Sequence, residues 1–84
     1  LVKASIFTLT GKVHARAKEF DKSIDSLKKA IEVSSSYAPA YYWLGYSLRS
    51  NDNPAAAKDA YNRAAKLDPA SRLGKKARRA ADRL

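Results

Sequence analysis

The groups that could perform acid–base, nucleophilic or metal chemistry are few in this 84-residue chain: one histidine, no cysteine and eight acidic side chains. Their spacing gives them no partners. His14 has neither a carboxylate set at metal-ligand spacing nor a nucleophile to activate, and it reads as a packing residue on the inner face of its helix. Asp21 and Asp25 lie one helical turn apart but lack a third ligand, so they read as a helix cap and a solvated charge. No glycine-rich phosphate loop is present. The chain is therefore expected to be no enzyme and to hold no metal or cofactor. What remains is recognition chemistry. Tyr42, Trp43, Tyr46 and Arg49 place three aromatic rings and a guanidinium within one short stretch, and Thr8, Lys12, Arg16 and Lys76 could join them. Rigid aromatic rings supply contact area, and Lys and Arg hold carboxylates.

The charge balance points the same way. Seventeen Lys and Arg side chains against eight acids leave a net charge of +9, which favours a negatively charged partner without naming one. Six of those cations, Arg72, Lys75, Lys76, Arg78, Arg79 and Arg83, cluster after Ser71 against Asp82 alone, a local net charge of +5. With no cysteine there is no disulfide framework. No apolar run approaches the roughly 20 residues needed to span a bilayer, so the segment is expected to be soluble. The chain contains no Met and reads as a piece of a longer or processed protein, whose compartment is open with the cytoplasm weakly favoured.

The elements that would position these residues follow from periodicity. Tyr41, Leu44, Gly45 and Leu48 recur at helical spacing, as do Ala57, Tyr61 and Ala64, and Asn51-Asp52-Asn53-Pro54 breaks the two runs. That predicts a hairpin of two helices, with Gly45 and Ala57 small enough for close approach. A single offset lays Ala4 on Ala38, Phe7 on Tyr41, Gly11 on Gly45, Asp25 on Asp59, Leu27 on Tyr61 and Ala30 on Ala64, so the chain reads as two tandem repeats. In the first, Ile6, Phe7, Thr10, Gly11 and His14 are expected to face inward, Lys18 to Phe20 to turn, and Asp21 to start and cap the second helix. Ser23, Ile24, Leu27, Ala30 and Ile31 give that helix its buried stripe. Pro39 and Pro54 suit first turns, and Asp52 or Asn53 the cap before Pro54. Leu73, Ala77, Ala80, Ala81 and Leu84 mark a fifth, more polar helix.

The placement of Tyr41, Leu44-Gly45, Leu48, Ala57, Tyr61, Ala64 and Pro69 resembles the signature of the tetratricopeptide repeat, with Tyr41 in place of the usual Trp and Leu48 in place of a Tyr. The first copy is looser, having Ser23 where the family prefers Ala, His14 where it prefers Tyr and Ser35 where it prefers Pro. The resemblance implies an all-α solenoid of two antiparallel helix hairpins, residues 4–37 and 38–71, followed by a capping helix over 72–84. That helix is equally in phase to begin a third repeat, although Arg79 at the family's glycine position favours the cap. The resemblance also implies a concave groove lined by the first helix of each hairpin, where an extended peptide lies.

If Tyr41, Leu44, Gly45 and Leu48 face inward, Tyr42, Tyr46 and Arg49 project from the opposite side with Trp43 at the border. A groove built from Thr8, Lys12, Arg16, Tyr42, Trp43, Tyr46, Arg49 and Lys76 would be aromatic at its centre and basic on both sides. Its expected ligand is an acidic peptide segment of a partner protein. The two-carboxylate clamp by which some relatives hold chaperone tails is not matched, since Thr8 and Lys12 stand at its first Lys and Asn and Trp43 at its second Asn. Competing readings remain: the aromatics pack against neighbouring repeats or against the terminal helix, the basic last helix meets nucleic acid or anionic membrane or is simply a solvated face, or the chain self-associates.

Overall fold

The computed structural model describes residues 2–84. Five helices follow in order: α1 (Val2–Arg16), α2 (Phe20–Val33), α3 (Ala38–Ser50), α4 (Pro54–Leu67) and α5 (Arg72–Asp82). No strand occurs among the described residues. α1 packs on α2 and α3 on α4, and short turns at 17–19 and 51–53 force each pair antiparallel. α2 then packs on α3 and α4 on α5, while α3 also touches both α1 and α5. The first helices thus lie side by side with α3 central. The fold is an all-α tandem array of helix hairpins.

The internal period extends to the backbone. Lys18 and Asp52 occupy equivalent positions and both adopt the left-handed conformation, with φ of 62° and 65°. Around them the Lys18 amide donates to the Ala15 carbonyl and Glu19 to His14, just as Asp52 donates to Arg49 and Asn53 to Leu48. This pair of bonds satisfies the carbonyls left open at each helix end. The connections between hairpins also match: Ser34 donates to Ala30 and Tyr37 to Ser34, as Asp68 does to Ala64 and Ser71 to Asp68. A Cβ at a left-handed position costs on the order of 1 kcal/mol, more for Lys than for Asp. Lys18→Gly is therefore expected to raise the unfolding free energy by up to about 1 kcal/mol. Asp52→Gly should gain less, and denaturant titration of both variants checks the ranking.

Close helix contact depends on two glycines at equivalent positions. A Cβ on Gly11 would stand 2.5 Å from Leu27 Cγ, and one on Gly45 would stand 2.8 Å from the Tyr61 ring. Leu27 and Tyr61, themselves equivalent in the two hairpins, are the two largest fully buried side chains. Around them sit two apolar clusters, Ile24, Leu27, Leu44 and Ala60 between the hairpins, and Tyr41, Ala57, Tyr61, Ala64, Ala77 and Ala81 between the second hairpin and α5.

The structure corrects three local expectations. The inner face of α1 is Ala4, Thr8, Gly11 and Ala15, whereas Ile6 is 57% exposed and Thr10 is exposed. α1 contacts α3 as well as α2, so its buried stripe is set by two neighbours rather than by its most apolar side. His14 does not pack in the core, because its Nδ1 lies 3.0 Å from Glu19 Oε1 across the turn. Asp21 is not a cap. α2 starts at Phe20 after Glu19, which makes no side-chain cap bond, and the Asp21 carboxylate instead accepts from Asn51 Nδ2 at 3.3 Å, linking the two turns. Asn53 and Ser71 do cap α4 and α5, accepting from the Ala56 and Gly74 amides.

Ser23, an alanine position in the resemblance, has a structural purpose. Its buried hydroxyl donates to the Gly11 carbonyl at 2.7 Å and lies 2.7 Å from the equally buried Ser47 hydroxyl, tying α1, α2 and α3 together. Ser23→Ala is expected to cost about 1–3 kcal/mol by stranding Ser47. Adding Ser47→Ala should cost less than the sum, because the second change removes the stranded group. Chemical denaturation of both single variants and the double variant checks the non-additivity.

Candidate functional site

The site is built on α3, the helix flanked by both other first helices. Its buried stripe of Ala40, Tyr41, Leu44, Gly45 and Ser47 turns Tyr42, Trp43, Tyr46 and Arg49 to the side shared by α1 and α5. The three rings make an edge-to-face chain: Tyr42 and Trp43 centroids lie 5.4 Å apart, Trp43 and Tyr46 5.5 Å. Cations stand over each member. Lys12 Nζ of α1 lies 5.4 Å from the Trp43 centroid, Arg49 Cζ 5.6 Å from Tyr46, and Lys76 Nζ of α5 5.6 Å from Tyr42. Six of the eight residues expected from sequence thus join one connected network spanning three helices.

The other two stand apart. Thr8 is only 6% exposed, its Oγ1 buried without a hydrogen-bond partner, so it presents almost nothing to the surface. It lies on the side of α1 that the helical neighbours cover. Arg16 is exposed at the end of α1, with no carboxylate partner among the described residues. The aromatic rings are not free either. Tyr42 and Tyr46 are half-buried against the Tyr41–Tyr61 cluster, and Trp43 against the Leu27–Leu44 cluster. Each ring therefore has a packing role on one face and an accessible edge on the other.

A cleft of about 340 Å³ opens between α3 and α5, lined by Tyr42, Tyr46, Arg49, Tyr61, Lys76, Arg79, Ala80 and Arg83. Arg79 and Arg83 lie outside the set expected from sequence. Their spacing of three and seven from Lys76 puts them on the same helical face, and that regularity is the available signal. Among the described residues, Arg49, Lys76, Arg79 and Arg83 have no carboxylate within ion-pair distance. Four uncompensated cations around three tyrosines give the cleft a positive potential beside aromatic surface. No cluster of three metal-ligating side chains occurs among the described residues.

Comparison with known families decides the class. A TPR repeat model matches residues 11–52, half the chain, and a tetratricopeptide repeat model matches residues 38–71. The chain belongs to the tetratricopeptide repeat family. No curated protein and no solved structure matches it. Tetratricopeptide repeats generally mediate protein–protein interaction and are typically non-enzymatic. No described helix of this tetratricopeptide protein is long and apolar enough to cross a membrane.

Tyr61 forms the floor of the cleft and responds to its surroundings. Burial pushes its hydroxyl up to about 12, against the pull of Arg49 and with the help of Tyr42 and Tyr46. The ordinary value is 10.0, so above it the unfolded chain loses this proton while the folded chain retains it. Ionisation of Tyr61 therefore leaves stability unchanged below pH 10 and lowers it as pH rises from about 10 to about 12. The loss should reach at most roughly 3 kcal/mol. Tyr61→Phe should flatten this part of a stability–pH curve measured by denaturant titration.

Proposed function

We propose that this protein is an interaction module that binds an extended, acidic peptide segment of a partner across α1, α3 and α5. The observation that carries the reading is the continuous array from Lys12 through Trp43, Tyr46, Tyr42 and Arg49 to Lys76, which adjoins a cleft with four unpaired cations. Tyr42 and Tyr46 serve as apolar anchors. Lys12, Arg49 and Lys76, with Arg79 and Arg83 beside them, receive carboxylates, and Arg16 extends the basic rim.

An anchor ring with a neighbouring guanidinium contributes on the order of 2 kcal/mol or more at such a surface. Tyr46→Ala with Arg49→Ala is therefore expected to weaken binding of an acidic peptide by about 30-fold or more. Calorimetric titration of the double variant, with circular dichroism to show that the helices persist, tests it. Unchanged affinity in a folded double variant would sink the groove assignment.

A second reading rests on a separate depression formed by Arg72, Lys75, Lys76 and Arg79, which contains no acid. Such a surface suits a polyanion, either nucleic-acid phosphate or anionic lipid, with affinity falling steeply as salt rises. Because Arg79 and Lys76 also line the aromatic cleft, Arg72 and Lys75 are the discriminating positions. Neutralising those two should remove polyanion binding while leaving acidic-peptide binding nearly intact.

A further inference from the structure

The internal period explains how the cleft between α3 and α5 arises. Ala80 of α5 stands where α3 carries Tyr46, and the missing ring leaves a hollow beside Tyr42 and Tyr46. Arg83 stands where α3 carries Arg49, so one turn beyond the hollow each wall presents a guanidinium. Arg79 takes the place of Gly45 and Lys76 that of Tyr42, which brings four cations to a single cavity of about 340 Å³. The one acid of α5, Asp82, lines a different depression with Asp59 and Arg78. Two of the four cations are held in place before any ligand arrives, Arg49 over the Tyr46 ring and Lys76 over the Tyr42 ring.

Spaced carboxylates match this cluster poorly. Along an extended segment, side chains on one face recur at every second residue, roughly 7 Å apart, so a compact cavity receives one of them at a time. A carboxylate brings one charge and two oxygens, whereas a phosphate monoester brings about −1.5 to −2 charges and three acceptor oxygens on a single side chain. Three planar guanidiniums suit that group, because each fork can hold two of its oxygens. We infer that the acidic segment bound in this groove carries a phosphorylated residue, whose phosphate sits in the cleft among Arg49, Lys76, Arg79 and Arg83. The inference rests on the peptide reading of the groove and adds a switch to it: phosphorylation of the partner sets the affinity.

The test uses the full chain and fluorescein-labelled synthetic segments of about ten residues, long enough at about 3.3 Å per residue to cross three packed helices. All share flanking glutamates and differ only at the central residue, which is serine, phosphoserine, tyrosine, phosphotyrosine or glutamate. A phosphopeptide is expected to bind more than about tenfold tighter than its unphosphorylated twin and than the glutamate peptide, through one or more added charge-assisted hydrogen bonds. The tighter of the two phosphopeptides identifies the carrier. Arg79→Gln with Arg83→Gln, both at exposed positions, should cut that preference to less than about threefold. Arg72→Gln with Lys75→Gln, in the neighbouring depression, should leave it intact. Three results overturn the inference: neither phosphopeptide outbinds the glutamate peptide, the preference survives in a folded Arg79→Gln, Arg83→Gln chain, or Arg72→Gln with Lys75→Gln abolishes it. The glutamate peptide judges the groove reading separately, since its binding must fall in the Tyr46→Ala, Arg49→Ala variant. If it falls there while phosphate adds nothing, the groove stands and the phosphate inference alone is lost. If no peptide binds, both are lost.

Discussion

Tyr61→Ala is expected to destabilise the protein by about 3–5 kcal/mol, the range for truncating a large buried aromatic. Tyr61 is the largest fully buried side chain, 1% exposed, and from α4 it reaches both α3 and α5. Its ring fills the space that Gly45 leaves on α3, packs edge-on to Tyr42 at 5.7 Å and shares a cluster with Ala77 and Ala81 of α5. Its buried neighbours are mostly alanine, too short to swing into the void, so the cavity would stay open. Small domains have only about 5–15 kcal/mol in total. At about 4–8 °C per kcal/mol, the midpoint of thermal unfolding should fall by at least about 12 °C. Tyr61→Phe keeps the ring and should lose far less, which separates ring packing from any contribution of the hydroxyl. Differential scanning calorimetry of the two variants checks both numbers. A drop for Tyr61→Ala of only a few degrees would mean that α5 collapses onto α4 without it.

The parts of the fold that can be read from sequence are those where one residue records both partners of a contact. Gly11 with Leu27 and Gly45 with Tyr61 are such pairs: a missing Cβ on one helix is matched by bulk on the next, and the second pair repeats the first at the internal period. The α1 stripe is harder. Its buried positions, Ala4, Thr8, Gly11 and Ala15, are small or polar, so they leave almost no hydropathy signal, while Ile6, Leu9 and Val13 signal strongly and face solvent. Periodicity finds the apolar side of a helix, and in an array that side belongs to whichever neighbour comes next.

The candidate site divides the same way. Tyr42, Trp43, Tyr46 and Arg49 stand out on α3 because its core stripe excludes them, and Lys12 and Lys76 follow because equivalent helices lie alongside. Arg79 and Arg83 escape because which face of α5 meets the cleft depends on how α5 leans on α4, a tertiary fact. Thr8 shows the converse. Its position on α1 matches Tyr42 on α3, but the smaller side chain ends beneath the surface instead of reaching it.

The second large effect is expected from exchanging bulk between α1 and α2. Leu27→Ala should cost about 3–5 kcal/mol, since Leu27 is fully buried between the hairpins. Gly11→Ala should also destabilise. Alanine favours a helix interior by about 1 kcal/mol over glycine, but its methyl would stand 2.5 Å from Leu27 Cγ and 2.7 Å from Cδ2. Side-chain rotation cannot relieve both contacts in a packed site, and overpacking of this kind typically costs about 1–3 kcal/mol, enough to cancel the propensity gain and more. The two changes should compensate when combined, because the methyl added at position 11 enters the volume that Leu27→Ala vacates. A double-mutant cycle is then expected to give a favourable coupling of about 1–3 kcal/mol, the size seen for residues in direct contact. The helix preference of alanine reappears in the double variant, which should therefore be more stable than Leu27→Ala alone. That ordering, Gly11→Ala harmful by itself and beneficial in the Leu27→Ala background, is a reversal of sign that denaturant titration can read directly. Additive losses would show that α1 and α2 already have room between them, and that Gly11 is not what sets their separation.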